Sequence, residues 1–99
     1  MPLNQIIRLN INDVLVKMEL LNMLLNTVKT KFPNQSGRIE SLYVADKDFR
    51  TLCSDYFSCI QHVQKLESDN SASQSSIEEY KEIKRELEKD LYDYIFSKE

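Results

Sequence analysis

Apolar residues recur three and four positions apart along most of this chain, the spacing that lines up one face of an α-helix. Three long helices follow from it. The first spans residues 13–32, where Val14, Met18, Leu21, Leu25, Val28 and Phe32 keep near-heptad intervals. Asn12 or Asp13 supplies an N-cap oxygen, and Pro33 ends the helix because the residue before a proline is pushed out of the helical region. Val16, Leu20, Met23 and Thr27 form a second stripe, roughly opposite the first. One stripe can cover neighbouring helices; the other is then exposed on a monomer, where an apolar patch marks an interface. The competing reading is a central helix shielded by an N-terminal arm folding back. Residues 1–12 are that arm. Ile7, Leu9 and Ile11 alternate with polar residues as a strand does, yet a helix from about Asn4 fits them as well.

Residues 34–45 read as a connector that holds the one glycine, with a short helical turn at "RIESLY", where Ile39 and Leu42 sit three apart. The second long helix covers 47–67, capped by Asp46, with Asp48 in the first turn where the helix dipole favours an acid. Its stripe is Phe49, Leu52, Tyr56, Cys59, Val63 and Leu66, widened by Cys53 and Ile60. "SDNSASQS" is too polar to bury and reads as a loop. The third helix covers 76–97, opened by a capping box of Ser75 with Glu78. Its stripe is Ile77, Tyr80, Ile83, Leu87, Leu91 and Tyr94. Two matching stripes joined by a short loop predict an antiparallel hairpin. The expected fold is all-α, a single three-helix domain whose core is completed by dimerisation.

Composition narrows the function classes. At 99 residues, 41% hydrophobic and 29% charged, the chain is globular. One Gly and two Pro supply too few turns for a β-protein. Residues 1–45 carry five Lys/Arg against three Asp/Glu, a balance of +2, and residues 46–99 carry eight against thirteen, a balance of −5. No basic stripe suited to nucleic acid emerges. The most apolar run, "LLNMLLNTV", is too short to span a bilayer, and "MPLNQIIRLN" has no signal-peptide pattern. Two cysteines in that context point to reduced thiols and a cytoplasmic setting.

The segment "DFRTLCSDYFSCIQHVQKL" holds both cysteines and the one histidine. Cys53 and His62 point about 180° apart on a helix. Cys53 and Cys59 differ by about 120°, too far for a disulfide along one helix. A structural zinc site needs four ligands, and the chain has no other Cys or His. Cys59 and His62 are neighbours, but Cys59 belongs to the buried stripe, where a thiol is inert, and no oxyanion-hole motif accompanies it. The expectation is no catalytic residue, no metal and no cofactor. Tyr56 packs its ring with its hydroxyl reaching a polar partner, and Asp55 sits at the stripe's edge within reach of Arg38, Arg50 or a backbone donor. On the third helix Glu78–Lys81, Glu82–Arg85 and Glu86–Lys89 are i, i+3 pairs that support a solvated face.

From Arg38 onward, "RIESLYVADKDFRTLCSDYFSCIQHVQKLE", a polar loop and "EEYKEIKRELEKDLYDYI" resemble a group of small uncharacterised bacterial helical-hairpin proteins. The shared positions are Asp46, Phe49, Leu52, Cys53 and Tyr56, then Glu79 and Tyr80. The resemblance covers residues 38–96, leaves the first helix outside it, and implies a helical hairpin of bacterial origin with no established activity.

The functional expectation is a non-enzymatic helical protein–protein interaction module, an adaptor or regulator. It engages a second copy or another protein through the first helix, with Val16, Leu20, Met23, Phe57, Tyr92 and Phe96 as interface candidates. The alternative is a small-ligand-binding or regulatory domain using a crevice with Asp55, Tyr56 and His62. A third is an acidic partner for a basic protein, using the third helix.

Overall fold

The computed structural model describes residues 2–97, and the side chains of residues 11–96. The described chain is all-α. Its helices are α1 (Pro2–Lys31), α2 (Ser36–Ala45), α3 (Lys47–Ser68) and α4 (Gln74–Ser97). The helix expected over 13–32 is thirty residues long. The arm is therefore the beginning of α1 and does not fold back as a shield. Pro2 suits the first helical position, since its missing N–H would have no intrahelical partner there. The connector expected over 34–45 is itself a ten-residue helix, α2, which makes four helices where the pattern predicts three.

Each junction is set by one or two residues. Phe32 closes the last turn of α1 by donating its N–H to the Val28 carbonyl at 3.0 Å. Pro33 follows, and Asn34 turns the chain through the left-handed region at φ 72°, which asparagine tolerates better than most residues. Asp46 ends α2 and starts α3 at once. Its N–H donates to the Leu42 carbonyl at 2.8 Å, while its Oδ1 accepts from the N–H groups of Asp48 at 2.9 Å and Phe49 at 3.1 Å. The α3–α4 loop is a turn in which the Asp69 carboxylate accepts from the Ser71 N–H and hydroxyl. Those bonds hold its pKa below the usual carboxylate value. Ser73 Oγ caps α4 by accepting from Ser76 N–H at 3.1 Å. The helix thus begins two residues before the expected position, because Ser73 rather than Ser75 faces the free N–H groups.

The α3–α4 hairpin is antiparallel. Its cross-contacts run Phe49–Tyr94, Tyr56–Glu88 and Cys59–Tyr80, so partners on α4 retreat as α3 advances. Leu24, Val28 and Phe32 of α1, Ile39 of α2, Phe49, Cys53 and Tyr56 of α3, and Leu91 and Ile95 of α4 form the core. Full burial of side chains such as Phe49, Ile39 and Leu91 contributes about 1.5–3 kcal/mol each. Ile95 takes the core place that the stripe assigns to Ile83, which is exposed. Arg38 and Arg50 serve helix ends. Arg38 Nε donates to the Ile95 carbonyl at 3.2 Å, and Arg50 Nη1 to the carbonyls of Tyr43 and Val44 at 2.9 and 3.1 Å. A cation at a helix C-terminus satisfies orphan carbonyls and the dipole together.

Candidate interaction surface

Among the described side chains, α1 is held by its C-terminal third alone. Leu24, Val28 and Phe32 are buried and Leu25 is half-buried, whereas every residue from Ile11 to Met23 is exposed. Val16, Leu20 and Met23 retain 55%, 49% and 49% of their surface. The opposite stripe departs from expectation, because Val14, Met18 and Leu21 are exposed too and do not cover the hairpin. Contact with the hairpin comes further along the helix, where Asn26, Thr27, Thr30 and Lys31 share an open groove with Tyr56, Ile60, Gln64, Lys84 and Glu88.

The aromatic candidates divide. Phe57 is half-buried and packs against the core. Phe96 stands edge-on to Phe32, with ring centres 6.4 Å apart, and tilted against Tyr92 at 4.6 Å. Tyr92 and Phe96 stay about half exposed. They extend the apolar surface at the end of α4 that meets the end of α1.

Of the crevice residues, the structure brings Asp55 and His62 together and sends Tyr56 elsewhere. Asp55 and His62 are two turns apart on α3 and line one open groove with Ser58, Cys59, Tyr80, Ile83 and Leu87. The His62 ring lies on Tyr80 at 4.2 Å. Cys59 Sγ donates toward the Tyr80 carbonyl at 3.5 Å, and burial raises its pKa, so the thiol is a poor nucleophile at neutral pH. Tyr56 faces the core side, where its hydroxyl donates to Glu88 Oε2 at 2.8 Å. Burial first, and then the Glu88 carboxylate, drive the phenol pKa upward. Neither Arg38 nor Arg50 is the partner proposed for Asp55, since both are engaged with backbone carbonyls.

A second groove on the hairpin was not foreseen. Asp48 and Asp55 of α3 and Asp90 and Asp93 of α4 line it, with Thr51, Leu52 and Tyr94. Its sequence signal is the seven-residue interval on α3 and the three-residue interval on α4, which place each pair on one helix face. The expected pairs on α4 are only partly used. Arg85 donates to Glu82 at 2.6 Å, whereas Lys81 crosses to Glu67 on α3 at 3.0 Å.

No protein-family model, curated protein or solved structure matches this chain. Among the described residues, no helix is long and apolar enough to cross a membrane, and no cluster of three His, Cys, Asp or Glu side chains could hold a metal ion.

Proposed function

We propose that this protein is a non-enzymatic helical interaction module, an adaptor or regulator that works in a bacterial cytoplasm by presenting the outer part of α1 to other protein. The observation that carries the reading is the projecting segment Ile11–Met23, whose large apolar side chains are all exposed while the same helix is anchored at Leu24, Val28 and Phe32. Monomeric soluble proteins rarely leave so much contiguous apolar surface in water, and an amphipathic helix offered to a groove is a recurrent recognition mode. Val16, Leu20 and Met23 form the docking stripe. The hairpin of α3 and α4 holds that stripe in place, in keeping with the resemblance of residues 38–96 to small bacterial hairpin proteins.

The test is binding of an environment-sensitive hydrophobic dye to wild type and to Leu20→Glu. Strong dye fluorescence that falls in the variant, with an unchanged unfolding midpoint, supports the module. Wild type that does not bind dye sinks it.

A ligand-binding reading is favoured by one observation, the shared groove of Asp55 and His62 beside Tyr80. It expects a metabolite to raise the unfolding temperature of wild type, and that shift to vanish in Asp55→Ala.

A further inference from the structure

The unseated part of α1 has an internal order that its exposure alone does not explain. Ile11, Val14, Met18, Leu21, Leu25, Val28 and Phe32 follow one another at intervals of three, four, three, four, three and four. That is an uninterrupted heptad seam over three heptads, the pattern of a helix built to pack along its length on another helix. Within the chain only the last three positions find a partner. Val28 and Phe32 are buried and Leu25 is half-buried, while Ile11, Val14, Met18 and Leu21 of the same seam face water. These turns gain nothing from packing within the chain, although most helical stability in proteins comes from tertiary packing of an apolar face.

The dimensions point the same way. A compact protein of 11.7 kDa exposes about 5,900 Å², whereas this chain exposes 7298 Å². The excess is about 1,400 Å², more than the ~800 Å² that each partner contributes to an ordinary stable complex. The radius of gyration is 16.7 Å, against about 12.6 Å for a compact chain of this length. One protomer therefore carries the surface surplus of a dissociated subunit.

Charge decides what can cover the seam. The positions flanking it between Ile11 and Leu25 are Leu15, Lys17, Asn22 and Leu24, so each arm brings a single charge to the contact. The acids Asp13 and Glu19 lie on the outer side, with Val16, Leu20 and Met23. A helix lined with acids or bases has almost nothing to pair with there. An equally apolar heptad seam does, and α1 of a second copy has one.

We infer that two copies of this chain pair through their α1 arms, seam against seam, with Ile11, Val14, Met18 and Leu21 buried between them. This rests on the interaction-module reading and assigns its two stripes different work. The seam makes the dimer, and Val16, Leu20 and Met23 on the outer side stay available to another protein.

The experiment is multi-angle light scattering of the full chain over a concentration series, for wild type, Met18→Glu and Leu20→Glu, with circular dichroism to follow helix content and hydrophobic dye to follow exposed apolar surface. Met18 is exposed in the single chain, so its replacement leaves the hairpin core intact. The expected result is a wild-type dimer, a Leu20→Glu dimer and a Met18→Glu monomer of folded hairpin, with the dissociation constant of Met18→Glu raised at least a hundredfold. A wild-type dimer untouched by Met18→Glu, or one broken by Leu20→Glu alone, overturns the seam assignment. A wild-type monomer that binds dye overturns self-pairing and leaves the module reading standing. A wild-type monomer that binds no dye overturns both.

Discussion

The Tyr56 hydroxyl donates to Glu88 Oε2 at 2.8 Å, and Glu88 Oε1 faces Lys31 Nζ at 3.6 Å. One carboxylate thus links α3, α4 and the end of α1. A half-buried acid is held here by a neutral donor on one oxygen and a cation on the other, so its desolvation is offset on both sides.

Tyr56→Phe removes that donor and keeps the ring. Glu88 retains Lys31, so the expected loss is that of one net hydrogen bond, about 1 kcal/mol. In a domain of this size that lowers Tm by about 4–8 °C. Differential scanning calorimetry at neutral pH reads it. An unchanged Tm means that water replaces the hydroxyl without cost.

Asp46→Ala tests the joint between α2 and α3. The two N–H groups now bound by its Oδ1, those of Asp48 and Phe49, lose their acceptor. The expected destabilisation is about 1 kcal/mol, with Asp46→Asn recovering most of it, because asparagine is as good a cap. Urea unfolding of the three proteins makes the comparison.

The thiols predict a response to alkali. Burial pushes Cys53 from 9.0 up to about 12. The folded state therefore keeps this thiol protonated where the unfolded chain ionises it. The sign follows: the contribution is fully present below about pH 9 and is lost as pH rises toward 12. Tyr56 and Cys59 act in the same direction. Stability is expected to fall steeply above pH 9, less steeply in Cys53→Ala. Native protein at pH 8 is expected to alkylate Cys53 only as fast as it unfolds, so that urea accelerates the reaction sharply. Rapid labelling without urea contradicts the burial.

Two apolar residues of similar hydrophobicity are expected to differ widely. Phe49 is fully buried and its ring is tilted against Tyr94, with centres 5.5 Å apart. Its replacement by Ala is expected to cost about 3–5 kcal/mol by cavity formation. Met18 is 55% exposed within one chain. Met18→Ala in dilute protein is expected to cost under about 0.5 kcal/mol. Chemical denaturation at a concentration where light scattering reads a monomer separates the two, and a large cost for Met18→Ala there places it inside the packed core of the single chain.

Period and punctuation in the sequence determine much of this protein. The stripe from Phe49 to Val63 reaches the core because side chains three and four apart share a face wherever the helix sits. Pro33 and Asp46 act locally, through a steric clash and a short hydrogen bond, so their positions could be read without knowledge of the fold. The end of α1 is a case where local rules run out. Residues 1–12 alternate well enough for a strand, and only the continuous helix from Pro2 to Lys31 selects one period. The cap of α4 also shows that limit, since Ser73, Ser75 and Ser76 are chemically alike and the folded chain places Ser73 at the cap.

What tertiary structure alone decided is which of two equivalent faces meets a neighbour. Ile83 and Ile95 are the same residue on the same helix, yet Ile95 is buried beside Val28 and Phe49 while Ile83 faces water. Asp55 and Tyr56 are adjacent in the chain, but the turn of the helix sends one to the His62 groove and the other to Glu88. The two stripes of α1 are legible as stripes. That neither is covered before Leu24 depends on how far the hairpin reaches along α1, which is set by α3 and α4 residues far away in sequence. Burial is a property of pairs of surfaces, and a linear pattern specifies only one member of each pair.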